Sequence, residues 1–188
     1  MLPSLNSLLE IIEGEDDLRE HLPGEHDQKT HGRRHPQIDT PEFKKWFGDS
    51  KVVDENGDPL VVYHGTTKDF DEFIPSTEGI LGPGIYSSAN KNDYGMYSSY
   101  AQKEGARVMP LFVSLNNPKI VFAGDTRSFP DSKSELSAEY DGVLMLDKRT
   151  NRILWAVAKS KEQIKSATGN RGTFDPSPKI NEAHDGPS

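Results

Sequence analysis

Cysteine is absent from all 188 residues, which removes disulfides and thiol chemistry together and suits a reducing cytosol. Apolar residues are sparse at 33%, against 28% charged. That is lean for a chain packed throughout, so part of it is expected to lie outside any core. No stretch approaches the roughly twenty apolar residues that a membrane helix needs. A basic leader is lacking as well: MLPSLNSLLEIIEGEDD pairs an apolar repeat with acidic flanks and does not read as a secretory signal. Net positive charge is missing, the balance being −8. This argues against a nucleic-acid surface spread over the whole protein and leaves local basic patches open. The composition describes a soluble chain, expected inside the cell.

What is present divides the chain into three parts. Leu2, Leu5, Leu8, Leu9 and Ile12 recur at helical spacing, so residues 4–13 read as a short amphipathic helix, marginal on its own. Residues 14–36 carry almost nothing apolar and read as a linker, so 1–36 is taken as a short helix plus flexible linker. Four histidines, His21, His26, His31 and His35, fall in or beside this linker. Such tracts can bind metal, but without cysteine or a core to fix the geometry no metal is expected.

The folded domain is read as 37–167. In DTPEFKKWFGDS, Thr40 can cap a helix, Pro41 suits its first position, and Gly48 can end it. Phe43, Trp46 and Phe47 share one face of that helix, which should dock on the core. Asn56-Gly57 signals a hairpin between SKVV and LVVYHG. Further strand candidates are Gly84–Ser88, Arg107–Leu115, Lys119–Phe122, Gly142–Leu146 and Arg152–Ala158, with a helix over Asn90–Glu104. No regular βαβ alternation or internal repeat appears, so the fold class is α+β with mixed, mostly antiparallel sheets. Residues 168–188 return to turn and disorder composition.

Two short stretches carry the chemistry. In VVYHGT, His64 follows strand residues and precedes Gly65, which lets a ligand approach the backbone, while Thr66 adds a hydroxyl. In GPGIYSS, Gly82 and Gly84 flank Pro83, and Ile85 and Tyr86 point to opposite sides of a strand. A strand tyrosine can wall a planar ring ligand. Alone, a histidine at a strand end is more often a hydrogen-bonded structural residue than a catalytic one, and a glycine turn before a strand tyrosine is also ordinary sheet architecture.

In this order, the pair resembles the ADP-ribosyltransferase superfamily, in the branch that includes diphtheria toxin and the poly(ADP-ribose) polymerases. YHGT at 63–66 matches its first motif, GPGIYSS at 82–88 its second, and SSYA at 98–101 the segment that supplies a second aromatic ring. WFGDSKVVDENGDPLVVYHGT and QIKSATGNRGTFDPS look like the corresponding domains of phage head proteins and polyvalent proteins. The resemblance, over about 36–177, implies a split β-sandwich of two sheets with flanking helices and NAD+ as co-substrate. It implies that His64 bonds a ribose, that the Gly65 backbone holds the nicotinamide carboxamide with Thr66 nearby, and that Tyr86 and Tyr100 sandwich the ring. Gly84, Ser87 and Ser98 (or Ser99) complete the implied cofactor contacts. Fixing both ring and ribose would bring the glycosidic bond to a reactive pose.

The third element of the resemblance departs from the pattern. The family places a Glu at the start of a later strand, where it stabilises the oxocarbenium charge. Counting back from QIKSA puts Trp155 at that position, or Leu154 or Ala156 with a gap, and none is acidic. Glu135, Glu139, Asp141 and Asp147 are the candidate substitutes, although Asp141-Gly142 reads more readily as a turn before a strand. The leading expectation is a phage-type, toxin-like mono-ADP-ribosyltransferase acting on a host protein, in the bacterial cytoplasm or carried with the virion. On this expectation residues 1–36 contact phage head proteins. The alternatives are a catalytically degenerate NAD-binding or morphogenesis module, favoured by Trp155, and an RNA 2′-phosphotransferase, disfavoured by the acidic balance.

Overall fold

The computed structural model describes residues 35–66, 73–93 and 107–168. The proposed helix 4–13, most of the linker, the C-terminal tail and most of the Asn90–Glu104 helix lie outside these residues; Asn90–Asp93 form a turn. A 3-10 turn at Pro36–Asp39 leads into helix α1, Pro41–Phe47. Its capping follows from sequence: the Thr40 hydroxyl accepts from Phe43 N at 3.2 Å, Pro41 takes the first turn, and Gly48 ends it at φ +57°.

Among the described residues, seven strands follow: β1 Val62–Thr66, β2 Ile85–Ser88, β3 Arg107–Val113, β4 Lys119–Phe122, β5 Gly142–Leu146, β6 Ile153–Ala158 and β7 Ile164–Ser166. They form one sheet in the order β4-β5-β6-β2-β1-β3-β7. The β4–β5 pair is parallel and the other neighbours are antiparallel. The strands GVLML and ILWAVA are apolar at consecutive positions because both faces of the sheet are covered. One face packs Val62, Ile85, Leu111, Leu144 and Ala156 against Phe73. The other divides into a cluster with Tyr86, Val143, Met145 and Trp155, and a second in which Phe43 and Phe47 of α1 meet Phe112.

Three expectations change. Two sheets were expected, and one mixed sheet is found, because β1 and β2 remain joined by a single register pair, Tyr63↔Ser88. The first arm of the Asn-Gly hairpin is reduced to a bridge, Val53↔Pro59. There the Asp54 carboxylate takes the amides of Asn56 and Asp58 and closes the turn early. Finally, QIKSA supplies β7, a three-residue strand whose central Lys165 interrupts any apolar pattern. No helix among the described residues is long and apolar enough to cross a membrane.

Phe112 is fully buried, 5.1 Å from Phe43 in an edge contact and 5.6 Å from His35. Phe112→Ala should lower unfolding stability by about 3–5 kcal/mol, read as an earlier urea midpoint at unchanged slope.

Candidate active site

The site begins where a ladder stops. β1 pairs with β3 along its whole length, from Val62↔Leu111 to Thr66↔Arg107. β2 pairs with β6 at four positions, Ile85↔Ala158 through Ser88↔Trp155. Between β1 and β2 only Tyr63↔Ser88 is in register, so the seam opens beside His64, Gly65 and Tyr86. His64 bridges the opening: its Nδ1 lies 2.7 Å from the Tyr86 carbonyl oxygen. A carbonyl only accepts, so Nδ1 carries the proton and Nε2 is the acceptor of the neutral ring. Burial lowers the His64 pKa from its ordinary 6.5, and the bond to Tyr86 opposes that shift in part. The ring also meets the edge of Phe73 at 4.8 Å.

Alternation along β2 sends Tyr86 to the opposite face from His64, with Ile85 in the cluster around Phe73 and Tyr86 in that around Trp155. Tyr86 is 4% exposed. Its hydroxyl accepts from Leu81 N at 3.0 Å and donates to Gly82 O at 2.5 Å, and burial pushes its pKa up. The phenol therefore pins the Gly-Pro-Gly loop from inside. Gly84 closes that loop at φ +153°, where a Cβ would stand 2.6 Å from Val157 Cγ1 and 2.7 Å from Ala158 O. The adjoining Ser76 exchanges backbone hydrogen bonds with Gly84. The expectation that the His64 and Tyr86 rings form two sides of one cleft is corrected here. They are joined through a side-chain-to-backbone hydrogen bond, and the sheet separates their rings.

Trp155 is 5% exposed and meets Tyr86 edge-on at 5.9 Å. Of its neighbours in sequence, Ala156 lies on the His64 face, and Leu154 is the extra residue of a bulge opposite Met145 and Leu146. Ser87 is also on the His64 face, 1% exposed, and its hydroxyl has no partner among the described residues. Thr66 is buried at the end of β1. Ser98, Ser99 and Tyr100 lie outside the described residues.

The four substitute carboxylates are committed elsewhere or face solvent. Both oxygens of Asp141 accept backbone amides, from Asn116 at 2.6 Å and Asn117 at 3.1 Å. Asp147 accepts from Thr150 N and Arg149 N, bonds that hold its pKa below the usual range. Glu135 and Glu139 are exposed. A carboxylate that sequence reasoning missed is Asp93, whose Oδ2 accepts from Ser88 Oγ at 2.9 Å. Only the strand register reveals its position, because Ser88 is paired with Trp155. Among the described residues no group of three or more potential ligands is gathered for a metal.

Two measurements follow from this geometry. Because burial lowers the His64 pKa, its contribution to stability is complete above pH 6.5, falls as the pH drops below that, and levels off below the folded-state pKa. His64→Gln should therefore reduce the loss of unfolding free energy between about pH 7.5 and about pH 5; an unchanged loss would show that the ring is not held neutral. Tyr86→Phe strands Leu81 N and Gly82 O, and should cost about 1–3 kcal/mol in urea unfolding.

A sequence profile for the family described as ADP-ribosyltransferase in polyvalent proteins matches residues 54–174, well over half of the chain. No curated protein matches the sequence at a significant level. The matched span runs from the closing turn before β1 through the opened seam and past β7. The chain belongs to the ADP-ribosyltransferases of polyvalent proteins.

Proposed function

We propose that this chain breaks the bond between nicotinamide and ribose in NAD+ and passes ADP-ribose to a host macromolecule, most simply a protein side chain. Domains of this family use NAD+ as co-substrate. The observation that carries the reading is the opened β1–β2 seam beside Gly65, bridged by His64. A strand edge parted from its neighbour pairs naturally with a ligand amide, and a carboxamide offers both a donor and an acceptor. The tautomer fixed by Tyr86 makes His64 Nε2 an acceptor, the polarity that a ribose hydroxyl requires. With ring and ribose both held, the C1′–N pair departs with neutral nicotinamide. The acceptor's lone pair then closes on C1′ and its proton passes to solvent. On this reading Tyr86 acts chiefly by fixing the Gly-Pro-Gly rim of the cleft through its hydroxyl.

The wider setting belongs to the same proposal: a phage-type effector acting in the bacterial cytoplasm or carried with a virion, with residues 1–36 contacting head proteins. A second reading, a binding module without turnover, is favoured by one observation. The position expected to hold a carboxylate is filled by Trp155, which is packed into the core.

The deciding measurement is nicotinamide release from NAD+ by the full chain, with and without host lysate, beside His64→Ala. Release stimulated by lysate and lowered on the order of a hundredfold in the variant is expected. NAD+ binding without release in either sample would favour the module.

A further inference from the structure

Buried hydroxyls find partners, because an unpaired one forfeits its bonds to water and gains nothing in return. Ser87 breaks this rule. It is 1% exposed, and its Oγ has no hydrogen-bond partner among the described residues. Its pair on β6 is Ala156, and Ile85 precedes it on the same face; neither carries a polar side chain. If packing alone decided the residue, alanine would fill that place at less cost.

The strand register defines what lies on the other side. Tyr63↔Ser88 is the one pair between β1 and β2, and one antiparallel step onward sets His64 opposite Ser87. Val62 and Ile85 share the cluster around Phe73, so His64 and Ser87, each two residues further along, share that face as well. The ladder has already parted there, and His64 Nδ1 crosses the gap to the Tyr86 carbonyl at 2.7 Å. An acceptor, His64 Nε2, and a hydroxyl able to donate or accept therefore stand on facing strands with no ladder between them.

Two hydroxyls on adjacent carbons match that arrangement. We propose that Ser87 binds the second hydroxyl of the ribose diol whose first hydroxyl donates to His64, so that position 87 selects an intact cis-diol. The assignment rests on the reading that the chain takes NAD+, with the carboxamide at Gly65 and the adjoining ribose at His64. Phe73, 3% exposed and edge-on to His64 at 4.8 Å, encloses this face, so its ring turns aside as the ribose enters. Until then the hydroxyl is enclosed and unpaired, and binding supplies its partner.

The test is calorimetric titration of the full chain and of Ser87→Ala with NAD+ and with two analogues, one lacking the 2′- and one the 3′-hydroxyl of the nicotinamide ribose. Melting temperatures are read on the same samples without ligand. Ser87→Ala should weaken NAD+ binding about tenfold, leave binding of one analogue unchanged, and keep the melting temperature equal or higher. No loss, or an equal loss for NAD+ and both analogues, overturns the contact with the diol. An equal loss with a lower melting temperature would identify a hydroxyl satisfied by trapped water alone. Equal wild-type affinities for NAD+ and both analogues overturn the proposal without any variant. All of these outcomes leave NAD+ as co-substrate, whereas a wild-type chain that binds none of the three overturns that reading together with this one.

Discussion

Among the described residues, β1 is tied to β2 by one register pair and by the hydrogen bond from His64 Nδ1 to the Tyr86 carbonyl. A buried carbonyl left without a partner costs about 1–3 kcal/mol, so strands in the middle of a sheet seldom part. Here an imidazole replaces the missing amide, and because it is longer than an N–H it joins the strands while keeping them apart. The same burial that strengthens the bond also disfavours a charge on the ring. Tautomer and the width of the opening thus come from one contact, and the neutrality of the ring from the burial around it.

Tyr86 ties that contact to the rest of the molecule. Its carbonyl belongs to the seam, its ring to the cluster around Trp155, and its hydroxyl to the Gly-Pro-Gly loop. Close approach is needed on every side. A Cβ on Gly79 would stand 2.2 Å from the phenol oxygen, and one on Gly84 would strike β6. Core packing and cleft geometry therefore cannot vary independently at this residue. A change that loosens the ring also moves the rim.

Features set by short-range chemistry were legible in the sequence. Helix α1 was readable from Thr40, Pro41 and Gly48, and β4 and β5 were readable to their ends, because apolar runs there are bounded by turn residues. The His64 and Tyr86 motifs likewise fall on strands, β1 and β2, as their apolar neighbours suggested. Features set by register were not legible. Whether two sheets or one result depends on a single cross-strand pair. The faces taken by His64 and Tyr86, and hence the relation of their rings, follow from the same pairing. β7 escaped notice because three residues around a lysine show no periodicity. Asp93 sits in the polar run NKND, indistinguishable from turn sequence until Ser88 is seen opposite Trp155.

The enclosure of position 155 also explains why β6 carries an indole there and no acid. A carboxylate there would share its surroundings with Met145, Val157 and the Tyr86 ring, and an apolar enclosure of that kind drives an acid toward its neutral form. Trp155 instead fills the volume and gains an edge contact with Tyr86, worth about 0.5–1.5 kcal/mol beyond burial. Asp93 is only half-buried and is hydrogen-bonded by a hydroxyl whose own orientation is fixed by Asn90. Those bonds close the turn that ends β2, so the polar groups beside Trp155 are satisfied from the loop while β6 itself stays apolar. At position 155 packing decides the residue, and the indole satisfies it without a buried charge.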